Sequence, residues 1–157
     1  MVEREMGIAD VIAKDLMTHQ DARGYFREIV RASDPFFREG FAQWSVSSMW
    51  PGVIKAWHLH QRQVDWWYCQ TGTLQVALWD RREGSPTYGK VIELFLGEQD
   101  GGKVLRIPPG VAHGCKAIGT REALLFYITS NEYDTTDEGR LPYDAAPYDW
   151  LAAPPIK

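Results

Sequence analysis

The chain has 157 residues, a formal net charge of −4, and 45% hydrophobic against 24% charged residues. That length suits one domain, 1–157, whose core needs no staples, and the acidic balance excludes a nucleic-acid partner, which would need a basic face to gather phosphates. No apolar run approaches the ~18 residues of a membrane span, so no membrane partner is expected.

The opening stretch MVEREMGIAD is acidic and lacks an apolar centre, unlike a signal peptide. Cys69 and Cys115 are too few for a disulfide framework, and a cytoplasmic location is expected. Seven Trp, seven Tyr and six Phe are too many large apolar groups to leave in water, which excludes disorder.

In chain order, β-branched and aromatic segments predict strands at 25–30, 41–48, 53–60, 65–70, 73–80, 91–96, 103–107, 113–117 and 124–129. A short helical turn is expected near 35–40. Gln70-Thr71-Gly72-Thr73 and Asp100-Gly101-Gly102 read as tight turns, and Glu98-Gln99-Asp100 as a solvated one. Many short strands at even spacing point to an all-β sandwich or barrel. The Pro- and Ala-rich stretch 141–157 is expected to lie as an irregular tail over the surface. Trp44, Trp50, Trp57, Trp66, Trp67 and Trp79 fall within one part of the chain. Packing is the default use of such rings; a ring-lined pocket for a sugar or base is the sharper one.

Four histidines are present, and three of them form a pattern. His58 and His60 are two apart on a predicted strand, so period two puts both on one face. Asp65 begins the next predicted strand. His113 lies far downstream, after Pro108-Pro109-Gly110. Two uses fit such a group: binding a divalent metal with positions left open for substrate, or general acid–base chemistry near neutral pH. The bland alternative is satisfied core histidines. His19 has no partner nearby in sequence and reads as a surface residue. Cys69 and Cys115 read as small core residues.

The full spacing is specific. Gly52 is followed by five residues, His58-Leu59-His60, four residues, Asp65, six residues and Gly72; later come Gly102, five residues, Pro108-Pro109-Gly110, two residues and His113. This resembles the two signature motifs of the cupin superfamily. The superfamily usually has Glu where Asp65 stands and Asn where Ala117 stands. The resemblance implies an antiparallel jelly-roll β-barrel with its His and acidic residues aimed into the mouth.

Four further strings narrow it: Arg23-Gly-Tyr-Phe-Arg-Glu28, Asp80-Arg-Arg-Glu-Gly-Ser-Pro-Thr-Tyr-Gly89, Pro108-Pro-Gly-Val-Ala-His-Gly114 and Tyr127-Ile-Thr-Ser-Asn-Glu-Tyr133. Together they resemble the dTDP-4-dehydrorhamnose 3,5-epimerase family, a metal-independent cupin family, from about residue 20 to 150. The resemblance implies an isomerase for a nucleotide-linked sugar. His58 would be the base that removes the proton alpha to the C4 ketone. Tyr133 would return a proton on the opposite face. Arg23, Phe26 and Glu28 match the segment that touches the nucleotide across a homodimer, with N-terminal strands at 20–50 exchanged. His113 matches a pocket histidine; Lys55, His60 and Asp65 fall at substrate-binding positions. No cofactor is implied.

The departures from the family cluster at this site. Lys55 stands where the family has a diphosphate-binding arginine, and Lys lacks the planar fork. Asp65 stands where the family has the lysine that stabilises the enolate. Leu59-His60 replaces an aromatic residue and a Gln-like one. The family's later Ser-x-x-Asp segment, whose Asp orients the catalytic His, has no counterpart before Lys157; Asp65 and Asp149 are both open as the partner of His58. A divergent branch follows, acting at one or two carbons or isomerising a ketone. Two alternatives stand beside it. One is a metal-dependent cupin with His58, His60, Asp65 and His113 as ligands of a divalent ion. The other is a non-catalytic sugar-nucleotide-binding module.

Overall fold

A computed structural model describes residues 2–152. Among these residues thirteen strands run in chain order: β1 Glu3–Glu5, β2 Ile12–Asp15, β3 Thr18–Asp21, β4 Gly24–Arg27, β5 Gln43–Met49, β6 Ile54–His60, β7 Asp65–Thr71, β8 Thr73–Asp80, β9 Val91–Gly97, β10 Lys103–Ile107, β11 Val111–Ile118, β12 Ala123–Thr129 and β13 Glu138–Arg140. Every pairing is antiparallel. One sheet runs β1-β2-β10-β7-β12-β5, a second runs β13-β6-β11-β8-β9, and β3 with β4 forms a separate hairpin. Two facing antiparallel sheets make the jelly-roll barrel that the motif spacing implied. Among the described residues no helix is long and apolar enough to cross a membrane.

The alternation of β7 shows how sequence sets the two faces. Asp65, Trp67 and Cys69 point between the sheets, whereas Trp66 and Tyr68 point outward. The inner core joins Trp67 and Cys69 to Leu74, Val76, Leu78, Leu105 and Val111. A second cluster, with Phe36, Phe37, Trp66 and Tyr68, covers the outside of the first sheet. Phe36 and Phe37 come from the one-turn helix Pro35–Phe37, which falls where the helical turn was expected. The β7–β8 turn needs glycine at residue 72. Its φ is +72°, and a Cβ there would meet the Glu122 carbonyl at 2.6 Å.

Two sequence expectations are corrected here. Strands β1, β2, β3 and β13 are absent from the sequence reading. They are three or four residues long, and β1, β3 and β13 read ERE, THQD and EGR, with no apolar alternation to reveal them. The described part of the 141–157 tail is not a loose covering. Leu141 and Trp57 exchange two backbone hydrogen bonds, at 3.0 and 3.1 Å. Trp150 is 1% exposed and packs tilted against Trp57 and edge-on against Tyr148, sealing the outside of the second sheet. Residues 153–157 lie outside the described residues.

Strand β5 inverts the usual pattern. Gln43, Ser45 and Ser47 are sheltered, while Trp44 and Val46 are 67% and 56% exposed. Its inner side therefore borders something polar. That is the site.

Candidate active site

A cavity of about 290 Å³ opens between the two sheets. Strand β6 supplies His58 and His60, β7 supplies Asp65 and Trp67, and β11 supplies His113 and Cys115. Period two puts His58 and His60 on this face, as expected. Lys55 joins them only because of a bulge. His113 pairs with His58 and Cys115 with Lys55, so two steps along β11 match three along β6. The extra residue turns Lys55 to the cavity side, and Trp57 is buried outward among Ala77, Ala112 and Trp150.

His113 is buried, and its Nδ1 lies 3.0 Å from the Val111 carbonyl. That nitrogen therefore carries the proton and donates it. Burial pushes its pKa down to about 4, so the ring is neutral at pH 7 with its Nε2 lone pair free. Nε2 stands 3.8 Å from Asp65 Oδ2. The Asp65 carboxylate accepts hydrogen bonds from the Gln63 amide at 2.7 Å and the Trp67 indole at 3.2 Å. His60 Nδ1 lies 3.3 Å from the Asp137 carbonyl. Donor atoms of His60, Asp65 and His113 all fall within 4.8 Å of one another. His58 lies outside that group of three, on the same cavity wall.

His58 faces the other way. Its Nδ1 is 3.9 Å from Glu138 Oε1. Burial lowers its pKa below 6.5, and Arg140 adds to this against the pull of Glu138. Tyr133, on the loop before β13, donates its phenol hydrogen to Glu138 Oε2 at 2.9 Å. Its backbone N–H is held by the Gln43 side chain at 2.9 Å. The carboxylate at its side raises the phenol's pKa above 10. Arg140 grips the Glu138 carboxylate at 2.9 Å and chiefly accounts for its lowered pKa. One carboxylate thus accepts the Tyr133 hydrogen bond and stands 3.9 Å from His58 Nδ1. It is neither Asp65 nor Asp149: Asp65 faces His113, and Asp149 caps the Leu151 N–H.

Asp137 and Glu138 are the site residues that sequence reasoning missed. Asp137 is buried and accepts the backbone N–H groups of Gln61, Arg62 and Gln63 at 2.9–3.1 Å, which fixes the β6–β7 loop beside His60. Their segment, Thr135-Thr-Asp-Glu-Gly139, carries no periodicity. The only available signal was its position, just after Tyr133.

Lys55 sits at the rim, its ammonium 2.6 Å from Ser47 Oγ. Cys115 lines the wall, and burial pushes its thiol up to about 12, so it is apolar lining and no nucleophile. Arg23, Phe26 and Glu28 do not line this cavity. They lie on or beside the β3–β4 hairpin, where Arg23 pairs with Asp21, Glu28 with Arg31, and Phe26 is 63% exposed.

The mouth of this jelly-roll barrel gathers groups that can carry protons: an imidazole, a phenol and a carboxylate. The sequence profile of the dTDP-4-dehydrorhamnose 3,5-epimerase family matches residues 5–153. The spore coat polysaccharide biosynthesis protein SpsL of Bacillus subtilis (strain 168) is 45% identical over 139 residues, covering 87% of this chain and 91% of that protein. A probable low-salt glycan biosynthesis epimerase, Agl13, of Haloferax volcanii is 38% identical over 140 residues, 87% of this chain and 89% of that one. The crystal structure of a dTDP sugar isomerase from Desulfovibrio desulfuricans G20 superposes with a TM-score of 0.89 at 28% identity, covering 98% of this chain and 97% of that one. The chain belongs to the dTDP-4-dehydrorhamnose 3,5-epimerase family, and it is an enzyme, an isomerase of the epimerase kind.

Proposed function

We propose that the chain epimerises a nucleotide-linked 4-keto-6-deoxy sugar at a carbon alpha to the ketone, with His58 as base and Tyr133 as acid. The observation that carries this reading is the placing of His58 and Tyr133 around one carboxylate, Glu138, 3.9 Å from the imidazole and hydrogen-bonded to the phenol. Neutral His58 removes the alpha proton through Nε2, and the C–H electron pair moves onto the ketone oxygen as an enolate. The enolate collapses, taking the Tyr133 hydroxyl proton on the opposite face, and the carbon is inverted. His58 is then left charged and Tyr133 ionised. His58 releases its Nε2 proton to solvent and the exposed Tyr133 phenolate takes one from solvent, restoring both, while the Glu138 carboxylate, 3.9 Å from Nδ1, stabilises the imidazolium in between. No cofactor enters these proton transfers. His60, Asp65 and His113 border the sugar, and Lys55 at the rim faces its diphosphate.

The test is deuterium incorporation from D₂O into dTDP-4-keto-6-deoxyglucose, followed by NMR. His58→Ala should slow exchange by about 10³-fold, within the usual worth of a positioned base. Tyr133→Phe should keep exchange but slow inversion. Because the pKa of His58 is lowered, the exchange rate should hold through pH 6.5 and fall only in more acidic buffer. Full exchange in His58→Ala would sink the reading.

The chain works as a homodimer in this proposal. Trp44, Val46 and Phe41 leave the outer face of the first sheet apolar, beside a groove of about 520 Å³. An exposed apolar sheet face ending in an unpaired edge needs a cover. A second copy would also bring Arg23, Phe26 and Glu28 of its hairpin to the nucleotide. Trp44→Glu with Val46→Glu should halve the mass measured by light scattering and raise KM more than it lowers kcat. An unchanged mass would refute the dimer on this face.

A further inference from the structure

Three hydrogen-bond acceptors converge on one side of the cavity, and no side-chain cation meets them. Asp65 is buried at 4% exposure, and its two donors, the Gln63 amide and the Trp67 indole, are neutral. Among the described residues no Lys or Arg forms an ion pair with it. The two cations of this cavity are engaged elsewhere, Lys55 on Ser47 and Arg140 on Glu138. A buried carboxylate without a compensating charge is costly. Beside it, His113 and His60 turn their Nδ1 atoms to the backbone carbonyls of Val111 and Asp137. A carbonyl only accepts, so each Nδ1 carries the ring proton and each Nε2 is left as a lone pair. His113 Nε2 stands 3.8 Å from Asp65 Oδ2, two acceptors face to face. A group with several hydrogens and a positive charge satisfies all three. We propose that this corner of the cavity holds a protonated primary amine of the substrate, so that the sugar taken is a nucleotide-linked 3-amino-4-keto-6-deoxy sugar.

The spacing suits an ammonium. Its bonds are tetrahedral, and three charge-assisted hydrogen bonds of about 2.8 Å put their acceptors about 4.6 Å apart. Nitrogen or oxygen atoms of His60, Asp65 and His113 all lie within 4.8 Å of one another. A sugar hydroxyl in the same place supplies one hydrogen and no charge, which leaves Asp65 uncompensated. The rings of His58 and His113 are 6.3 Å apart, centre to centre, so an amine seated here brings its own carbon within reach of the base. This assignment rests on the epimerase reading and names its substrate. Of the two carbons alpha to the C4 ketone, C5 already carries the ring oxygen and the methyl group, so the nitrogen belongs on C3. There it also has an electrostatic role. Where the family resemblance places an enolate-stabilising lysine, this chain has Asp65. The cation arrives on the substrate instead, where it acidifies the adjacent C–H and lies beside the enolate oxygen. Asp65 and the two imidazoles hold it, and His58 and Tyr133 carry the protons.

The experiment measures the affinity of three stable analogues that lack the ketone, by calorimetry on the full chain. They are dTDP-3-amino-3,6-dideoxyglucose, dTDP-6-deoxyglucose and dTDP-3-acetamido-3,6-dideoxyglucose. The amine should bind at least about tenfold more tightly than the alcohol, the size expected of one hydrogen bond between charged groups. The acetamide keeps the nitrogen without its charge and should bind no better than the alcohol. In Asp65→Asn the amine should lose its advantage over the alcohol. A merely structural defect would weaken both and keep their ratio. Equal binding of amine and alcohol by the wild type, an acetamide as tight as the amine, or an undiminished amine preference in Asp65→Asn would each overturn the proposal. Deuterium exchange into dTDP-4-keto-6-deoxyglucose without any amine preference would remove the ammonium and leave the epimerase reading standing. An amine preference without exchange, into this ketone or its 3-amino counterpart, would do the reverse.

Discussion

Two buried carboxylates in this barrel have opposite fates. Asp80, at the end of β8, is fully buried and fully satisfied. It accepts Arg82 Nε and Nη2 at 2.9 Å, and the hydroxyls of Ser85 and Thr87 at 2.7 Å each. Burial alone would raise its pKa, but these bonds outweigh it and hold the acid well below the ordinary carboxylate range. Asp65 has two neutral donors and no cation. The Asp80 turn is the most specific string of the family resemblance, and none of its residues borders the cavity. Its role is architectural: Arg82 also reaches the Ala9 carbonyl at 2.7 Å, tying the N-terminal segment to the barrel. The charge-paired acid holds the fold together, and the acid held by neutral donors alone lies on the cavity wall.

The contrast can be broken by mutation. Asp80→Asn should be the most damaging change, because it removes the charge paired with Arg82 and replaces one of the two accepting oxygens by an NH2 donor. A loss of about 3–5 kcal/mol is expected for breaking a buried ionic network, read as the midpoint of urea unfolding. If Asp80→Asn unfolds like the wild type, the turn is not a staple.

Acid should act through the same group, more gradually. A carboxyl with a folded-state pKa below its unfolded value of 3.8 contributes stability above that pH. The contribution fades as pH drops below 3.8. Wild-type stability should therefore decline more steeply than that of Asp80→Asn between pH 4 and pH 2. Parallel curves would assign acid sensitivity to other carboxylates.

Asp65→Asn should have the smallest effect on stability. It should change the unfolding free energy by no more than about 1 kcal/mol, since removing an uncompensated buried charge offsets the weakened hydrogen bonds. A loss as large as that of Asp80→Asn would dissolve the distinction between the two acids.

The long strands were legible because apolar and aromatic residues recur along them; all nine strands read from the sequence are present, with ends shifted by a few residues. The short strands were not, since three polar residues at a sheet edge look like any loop. The site was legible where chemistry and period coincide. His58, His60, Asp65 and His113 do meet at one mouth. The β6 bulge was illegible, because strict alternation puts Lys55 on the opposite face from His58. Glu138 was illegible for a different reason. Its role depends on β13 pairing back onto β6, with Glu138 opposite His60 and Arg140 opposite His58. No local pattern encodes that return.

That return has a consequence for how such enzymes diversify. The phenol, its carboxylate and the arginine behind them all lie between Tyr133 and Arg140, on one short ribbon laid against a finished barrel. The histidines belong to the walls; the ribbon is an attachment. Rewriting a few of its exposed positions changes which groups confront the imidazoles and leaves the inner core untouched. Edits to this single cassette would change the phenol, carboxylate and guanidinium that the barrel's histidines face, with the walls themselves unaltered.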